Sequence, residues 1–216
     1  MAQKATEVFQ HAGDDASYTR ALFHPARPAL ATGDGAAGGG TVTVWRGFEE
    51  GAVPAQSKQT AHAGAVTALA WAAGDAVASG DDAGELVIGG RRVTPFGGEA
   101  VHSVLIAAGR GAGGGALVVA GNKQNTCLKL FGEDLGACLH EVAFQGAAPG
   151  AFVGTAVIDP AGGFVVVANT VTAGTTDNWG IYTLALEADR FASLCAFSVV
   201  YPVLSLCLTR DCSVEA

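Results

Sequence analysis

Ala116-Leu117-Val118-Val119-Ala120-Gly121, then Gln124-Asn125, then Thr126-Cys127-Leu128-Lys129-Leu130-Phe131 is the stretch that decides the fold. Two apolar runs rich in Val and Leu flank a polar, Asn-containing turn, the pattern of a β-hairpin. His102-Ser103-Val104-Leu105-Ile106 precedes it as a third run. The same order recurs in three other places. Upstream, Ala21-Leu22-Phe23-His24-Pro25 leads to Ala29-Leu30-Ala31-Thr32-Gly33 and Gly40-Thr41-Val42-Thr43-Val44-Trp45. Next, Thr67-Ala68-Leu69-Ala70-Trp71 leads to Ala76-Val77-Ala78-Ser79-Gly80 and Gly84-Glu85-Leu86-Val87-Ile88-Gly89. Downstream, Thr155-Ala156-Val157-Ile158-Asp159-Pro160 leads to Phe164-Val165-Val166-Val167-Ala168 and Gly180-Ile181-Tyr182-Thr183-Leu184-Ala185.

A unit this short cannot bury its apolar face alone and must stack on its neighbours. The closing positions Trp45, Gly89, Phe131 and Ala185 are 44, 42 and 54 residues apart. The first two steps match the roughly 40–45-residue period of a WD40 blade. The long last step is assigned to the polar residues 169–179, read as a stretched hairpin loop. His11-Ala12-Gly13 and His62-Ala63-Gly64, ahead of the first two copies, suit the Gly/His position that opens such a blade. The expected class is all-β: a WD40-type β-propeller segment of about four to five degenerate blades, incomplete as a propeller. The whole of 1–216 is read as repeat region, with units near 11–58, 59–98, 99–145 and 146–190. A further blade is expected to start in 191–216, with Val203-Leu204-Ser205-Leu206-Cys207-Leu208 as its opening strand.

The blades are degenerate because copies two and four lack a closing aromatic and none ends in Trp-Asp. Copy two offers His62, Ser79 and Asp82 for a His–Ser/Thr–Asp–Trp network, but Gly89 where the Trp belongs. Propellers close with about 4–8 blades, and seven blades need on the order of 300 residues. The expectation is a segment of a longer chain, or an arc closed by another copy or a partner, with poor stability in isolation.

Composition narrows the function classes. Of 216 residues, 50% are apolar and 15% charged, ample for a buried core. The net charge is −8 and only Arg91-Arg92 are adjacent among the basic residues. Phosphate contacts dominate nucleic-acid affinity, so direct nucleic-acid binding is not expected. No leader or membrane segment is expected: the apolar run 199–208 contains Pro202 and falls short of the roughly 20 residues a spanning helix needs. Five irregularly spaced cysteines (127, 138, 195, 207 and 212) suggest reduced thiols in the cytosol. Neither Cys138-Leu139-His140 nor the Cys207/Cys212 pair supplies the two close pairs of structural zinc, so no metal and no cofactor is expected.

Catalytic motifs fail on context. Gly109-Arg110-Gly111-Ala112-Gly113-Gly114 matches G-x-G-x-x-G, but a β run follows where a dinucleotide site needs a helix, so it is read as a loop. Gly33-Asp34-Gly35 with Gly38-Gly39-Gly40 lacks a following Lys-Ser or Lys-Thr and is read as a turn. There is no G-x-S-x-G elbow. Histidines 11, 24, 62, 102 and 140 fall at repeat-equivalent or turn positions, with structural roles assigned to His11 and His62. His140 could pair with Glu141, but no nucleophile stands near in sequence. Asp14-Asp15 and Asp81-Asp82 belong to turns, where Asp bonds its own backbone. No catalytic residue and no small-molecule substrate is therefore expected. Binding residues belong on connecting loops, and residues 14–19, 63–66 and 146–154 are equal candidates.

Residues 116–208 carry a more specific resemblance. The 116–131 hairpin with its Leu-Lys-Leu-Phe ending and the strand of residues 138–144 resemble a blade of the enhancer-of-mRNA-decapping scaffolds, the varicose-type proteins. The next blade, with Phe164-Val165-Val166-Val167-Ala168-Asn169 and Ile181-Tyr182-Thr183-Leu184-Ala185-Leu186, is similar to theirs. So is the tail, Ser193-Leu194-Cys195-Ala196-Phe197 and Tyr201-Pro202-Val203-Leu204-Ser205. Residues 1–115 agree only at the general WD40 level. The resemblance implies a non-enzymatic platform of a cytoplasmic processing-body scaffold, with decapping-complex proteins as partners. The alternative is a WD40 adaptor in another pathway, such as ubiquitin ligation or trafficking.

Overall fold

The computed structural model describes residues 17–35, 39–48, 54–144, 152–170, 180–199, 203 and 206–208. These residues form four separate four-stranded antiparallel sheets, each built from strands consecutive in sequence. The first holds β1 (Tyr18–Phe23), β2 (Ala29–Asp34), β3 (Thr41–Arg46) and β4 (Ala55–Ala61). The second holds β5 (Val66–Trp71), β6 (Val77–Asp81), β7 (Leu86–Ile88) and β8 (Arg91–Val93). The third holds β9 (Val101–Ala107), β10 (Leu117–Asn122), β11 (Cys127–Gly132) and β12 (His140–Ala143). The fourth holds β13 (Gly154–Ile158), β14 (Phe164–Asn169), β15 (Gly180–Leu186) and β16 (Phe191–Ser198). The first strands touch in series, β1 with β5, β5 with β9 and β9 with β13. The sheets therefore stand side by side around an inner wall, as an arc that does not close into a ring.

Sheet stacking explains the unbroken apolar runs. β6 and β10 are buried along their whole length, because each sheet between two neighbours covers both faces of its second strand. The outermost strands β4 and β16 are exposed at nearly every residue and correspondingly polar or mixed. Each joint has its own apolar core. Ala31, Val42, Val44, Val66 and Val77 fill the first, while Leu86, Ile88, Val101, Val118 and Phe131 belong to the second. In the third, Leu117, Val119, Leu130, Val165, Val167 and Leu184 pack with the stacked rings of Phe144 and Phe152, whose centroids are 5.2 Å apart.

The first two joints use one device. Gly33 on β2 meets the side chain of Val66, the first residue of the next inner strand, and a Cβ added to it would fall on that valine. Gly80 on β6 does the same with Val101, whose Cγ1 would lie 2.5 Å from an added Cβ. At the third joint both positions are glycine, Gly121 on β10 and Gly154 on β13, and the Asn125 side chain fills the space between them. The inner strand opens with Gly154, and the Asn125 side chain reaches over from the β10–β11 turn to donate to the Gly154 carbonyl at 2.8 Å. At the opposite end of the sheets, Arg27 Nη1 binds Asp75 Oδ1 at 2.5 Å, and Arg110 donates to the Ala161 carbonyl at 3.1–3.2 Å. Both contacts tie neighbouring sheets together.

Several boundaries differ from the sequence reading. Each blade carries four strands; the sequence reading has a fourth only in the third blade, where the strand read at 138–144 is β12, and the others are short or exposed and so without an apolar run. Phe191–Ser198 was assigned to a further blade, yet it pairs along β15 as the outer strand of the fourth sheet. Strand structure is absent at Val203 and at residues 206–208, the described part of the expected opening strand. The fourth closing position is Leu184, not Ala185. Leu184 pairs with Val165 as Trp45 pairs with Leu30, and it is the buried one of the two. The G-x-G-x-x-G stretch is the β9–β10 hairpin loop. Of the expected insertion 169–179, only Asn169 and Thr170 lie within the described residues.

The glycine joints are testable. Gly80→Ala should overpack the joint with Val101 and cost about 1–3 kcal/mol in urea denaturation. Gly115→Ala, whose Cβ would have nothing nearer than 3.6 Å, should stay within about 0.5 kcal/mol of the parent.

Candidate functional site

One position recurs in every sheet. Asp34, Asp81, Asn122 and Asn169 end the second strands and sit opposite Tyr18, Val66, Val101 and Gly154, the first or nearly first residues of the inner strands. Each uses a side-chain oxygen to hold a nearby main-chain amide. Asp34 accepts from Thr41 N at 2.7 Å, Asp81 from Glu85 N at 2.6 Å, Asn122 from Cys127 N at 3.1 Å and Asn169 from Val153 N at 3.2 Å. The short Asx side chain at a turn supplies the acceptor the backbone lacks there.

The second blade builds furthest on this. His62, in the linker before β5, places Nε2 2.7 Å from Ser79 Oγ, and its Nδ1 lies 3.5 Å from Asp81 Oδ2. The acid is Asp81 rather than Asp82, since β6 turns Asp81 inward and fully buries it. Asp82 is exposed and instead accepts from Ala65 N at 2.7 Å. Asp81 Oδ2 also takes the Gly64 amide at 2.9 Å, so the acid ties linker to turn. Burial pushes the His62 pKa below its usual 6.5, against the opposing pull of Asp81 and Glu85. In the first blade Trp45 Nε1 donates to Thr32 Oγ1 at 2.9 Å, the other half of the same network. Gly89 stands where blade two would need its Trp. The proposed equivalent histidine, His11, lies outside the described residues.

His62, Asp81 and Glu85 bring three possible metal-ligand atoms within 4.8 Å of one another, a cluster the sequence reading did not assemble. Its anionic side is already answered by a protein cation: Arg92 Nη1 binds Glu85 Oε2 at 2.7 Å. His62 Nδ1 is buried with no hydrogen-bond partner among the described residues.

The inner strands carry a second recurring feature. β1, β5 and β9 each contain a bulge, at Thr19, Thr67 and His102. A bulge re-aims one side chain, and here two of them latch blades together. Thr19 Oγ1 donates to the Val66 carbonyl at 2.5 Å, and Thr67 Oγ1 donates to the Val101 carbonyl. The third position breaks the pattern: His102 is exposed and has no hydrogen-bond partner among the described residues. Arg20, next to the first bulge, faces the same groove as His102 from the first sheet. Burial and Arg20 both lower the His102 pKa. Arg20, Thr67, His102 and Ser103 line a groove of about 260 Å³ running down the inner wall.

The other candidates separate. His24 packs edge-on to Trp71, and His140 accepts from the Phe191 amide. Glu141 pairs with Lys129 at 3.2 Å, not with His140. Burial pushes the Cys127 thiol up to about 11, which disfavours the thiolate a nucleophile or metal ligand requires. Cys138 donates weakly to the His140 carbonyl. Among the proposed binding loops, the 63–66 linker is engaged by Asp81 and Asp82. Residues 14–16 and 146–151 lie outside the described residues. No helix among the described residues is long and apolar enough to cross a membrane.

No family model and no curated protein matches the sequence. Solved WD40-type propellers do match in structure. Hsv2 of Kluyveromyces marxianus superposes with TM-score 0.57 at 12% identity, over 90% of this chain and 59% of that one. The WD40 β-propeller domain of Doa1 gives 0.50 at 12%, over 84% and 55%. Sqt1 of Chaetomium thermophilum gives 0.53 at 14%, over 77% and 43%. The chain thus has a WD40-type β-propeller fold and spans roughly half the length of these structures.

The His62 knot makes stability pH-dependent. With the folded pKa below 6.5, the unfolded chain takes up a proton first as pH falls. This contribution is whole above pH 6.5 and is lost below it, by at most about 1.4 kcal/mol per unit, until the folded value is reached. Urea midpoints measured from pH 7.5 to 5.5 should fall, and should fall less in His62→Gln.

Proposed function

We propose that the chain is the propeller part of a non-enzymatic protein-interaction platform. The observation that carries this reading is the division of labour along the inner rim. Buried polar groups, His62, Ser79, Asp81 and Asn125, hold linkers, turns and joints, while Arg20, His102 and Ser103 stand unengaged or half-engaged on an open groove. A chemical site needs a nucleophile or acid–base pair poised beside a reacting atom. His62 is enclosed, and its neighbours are bound to main chain or to Arg92.

A narrower reading places the platform in mRNA decay, as the propeller of a decapping enhancer acting in cytoplasmic processing bodies. It rests on the ordered motifs of residues 116–208, from Leu128-Lys129-Leu130-Phe131 to the Tyr201-Pro202 tail. A WD40 adaptor of another pathway is its competitor, since the fold is shared by proteins of many functions.

Proximity labelling from the 216-residue chain, against Val119→Asp in the apolar core of the third joint as an unfolding control, tests both readings. Enrichment of the decapping enzyme and its activator is the expected outcome for the narrower reading. A different reproducible set, lost in the control, replaces it with another adaptor role. Labelling indistinguishable from the control removes the platform reading altogether.

A further inference from the structure

We propose that the inner-wall groove is a binding site for a single carboxylate, presented by an acidic side chain of a partner's extended peptide. The site deepens the platform reading and rests on it.

Three donors converge from two sheets. Arg20 is held in place: its Nε donates to the Thr67 carbonyl at 2.6 Å and its Nη1 to the Thr19 carbonyl at 2.9 Å. These bonds fix the guanidinium plane and leave Nη2 without a hydrogen-bond partner among the described residues. A cation immobilised in advance loses little freedom when it binds an anion. From the third sheet come the His102 ring and the Ser103 hydroxyl, neither with a hydrogen-bond partner among the described residues. Thr67 does not compete, because its hydroxyl is directed to Val101.

Charge selects the ligand. The chain is acidic overall, at −8, yet no Asp or Glu lines this groove. Its permanent charge is the single cation Arg20. Partial burial and, after it, the neighbouring guanidinium favour neutral His102, a hydrogen-bond donor rather than a second cation. One fixed positive charge with neutral donors matches a carboxylate better than a phosphoryl dianion in an acidic chain.

Size selects the presentation. About 260 Å³ is below the roughly 300 Å³ at which small-molecule pockets begin. It suits a side chain, with Leu22, Leu69 and Leu105 offering an aliphatic floor for its methylenes. The groove follows the inner strands, the direction an extended peptide would take.

The test is nuclear magnetic resonance of the ¹³C-histidine-labelled 216-residue chain, titrated with capped Ala-Ala-Glu-Ala-Ala, its Gln counterpart and inorganic phosphate. The Glu peptide should raise the His102 pKa by about half a unit or more, because a bound carboxylate favours the charged ring. The Gln peptide should leave it unchanged. Arg20→Gln should weaken the Glu peptide by about tenfold or more. Because Arg20 also braces main chain, Arg20→Lys and Ser103→Ala, each checked for an unchanged circular dichroism spectrum, should weaken it as well. No His102 response, an equal response to Glu and Gln peptides, or a response to phosphate alone overturns the proposal. The platform reading makes no demand on His102, so a silent titration removes this site and leaves that reading standing. Loss of specific proximity labelling with the titration intact does the reverse.

Discussion

The second and third sheets each have two apolar faces, and that single fact organises the rest. A four-stranded sheet with Val118 and Val119 pointing to opposite sides cannot be stable with either side in water. Val118 packs into the core with the second sheet and Val119 into the core with the fourth. Burial of a valine or leucine contributes roughly 1.5–3 kcal/mol, so stacking dominates whatever the strands gain by themselves. The alternation of small and large residues at the joints then sets how closely the sheets approach. Gly33 and Gly80 receive Val66 and Val101, whereas Gly154 leaves room for Asn125.

Polar chemistry is layered on top of that stack. The Asx residues at the ends of the second strands hold the following turn in the first three sheets, and in the fourth Asn169 holds the Val153 amide ahead of β13. His62 and Trp45 show two halves of one network divided between two blades. Neither half is complete, and the fold tolerates this because the apolar joints carry the stability while the polar knots mainly fix linker geometry. Asp81 illustrates the point: one carboxylate binds the linker at Gly64 and the turn at Glu85, so its role is to align the entrance of β5 with the end of β6.

Much of this was legible in residue order. The run of residues 116–120 and the closing aromatics Trp45 and Phe131 gave strands, hairpins and period directly. The outer strand of the third sheet was legible at 138–144, but β4 was not, because exposure leaves it no alternating pattern and Gln56, Ser57, Lys58 and Gln59 read as a loop. The Asp81/Asp82 choice depended on which of two adjacent acids faces inward. A one-residue change of register reverses every side chain in a strand, and the same reversal separates Leu184 from Ala185. The groove was not legible: the first run is read from Ala21, two residues past Thr19, and the match of Thr19, Thr67 and His102 shows only in the bulges of the three inner strands.

The sequence by itself determined the all-β class, the period and the stacking of like units, because hydrophobic alternation and turn residues are local properties of the chain. Tertiary structure alone decided which acid enters the His62 knot, which strand closes the fourth sheet and which residues meet across the inner wall. Arg20 and His102 are 82 positions apart and belong to the first and third sheets. Only the packing of three inner strands, set by the volumes of glycine and valine at the joints, brings them to one groove.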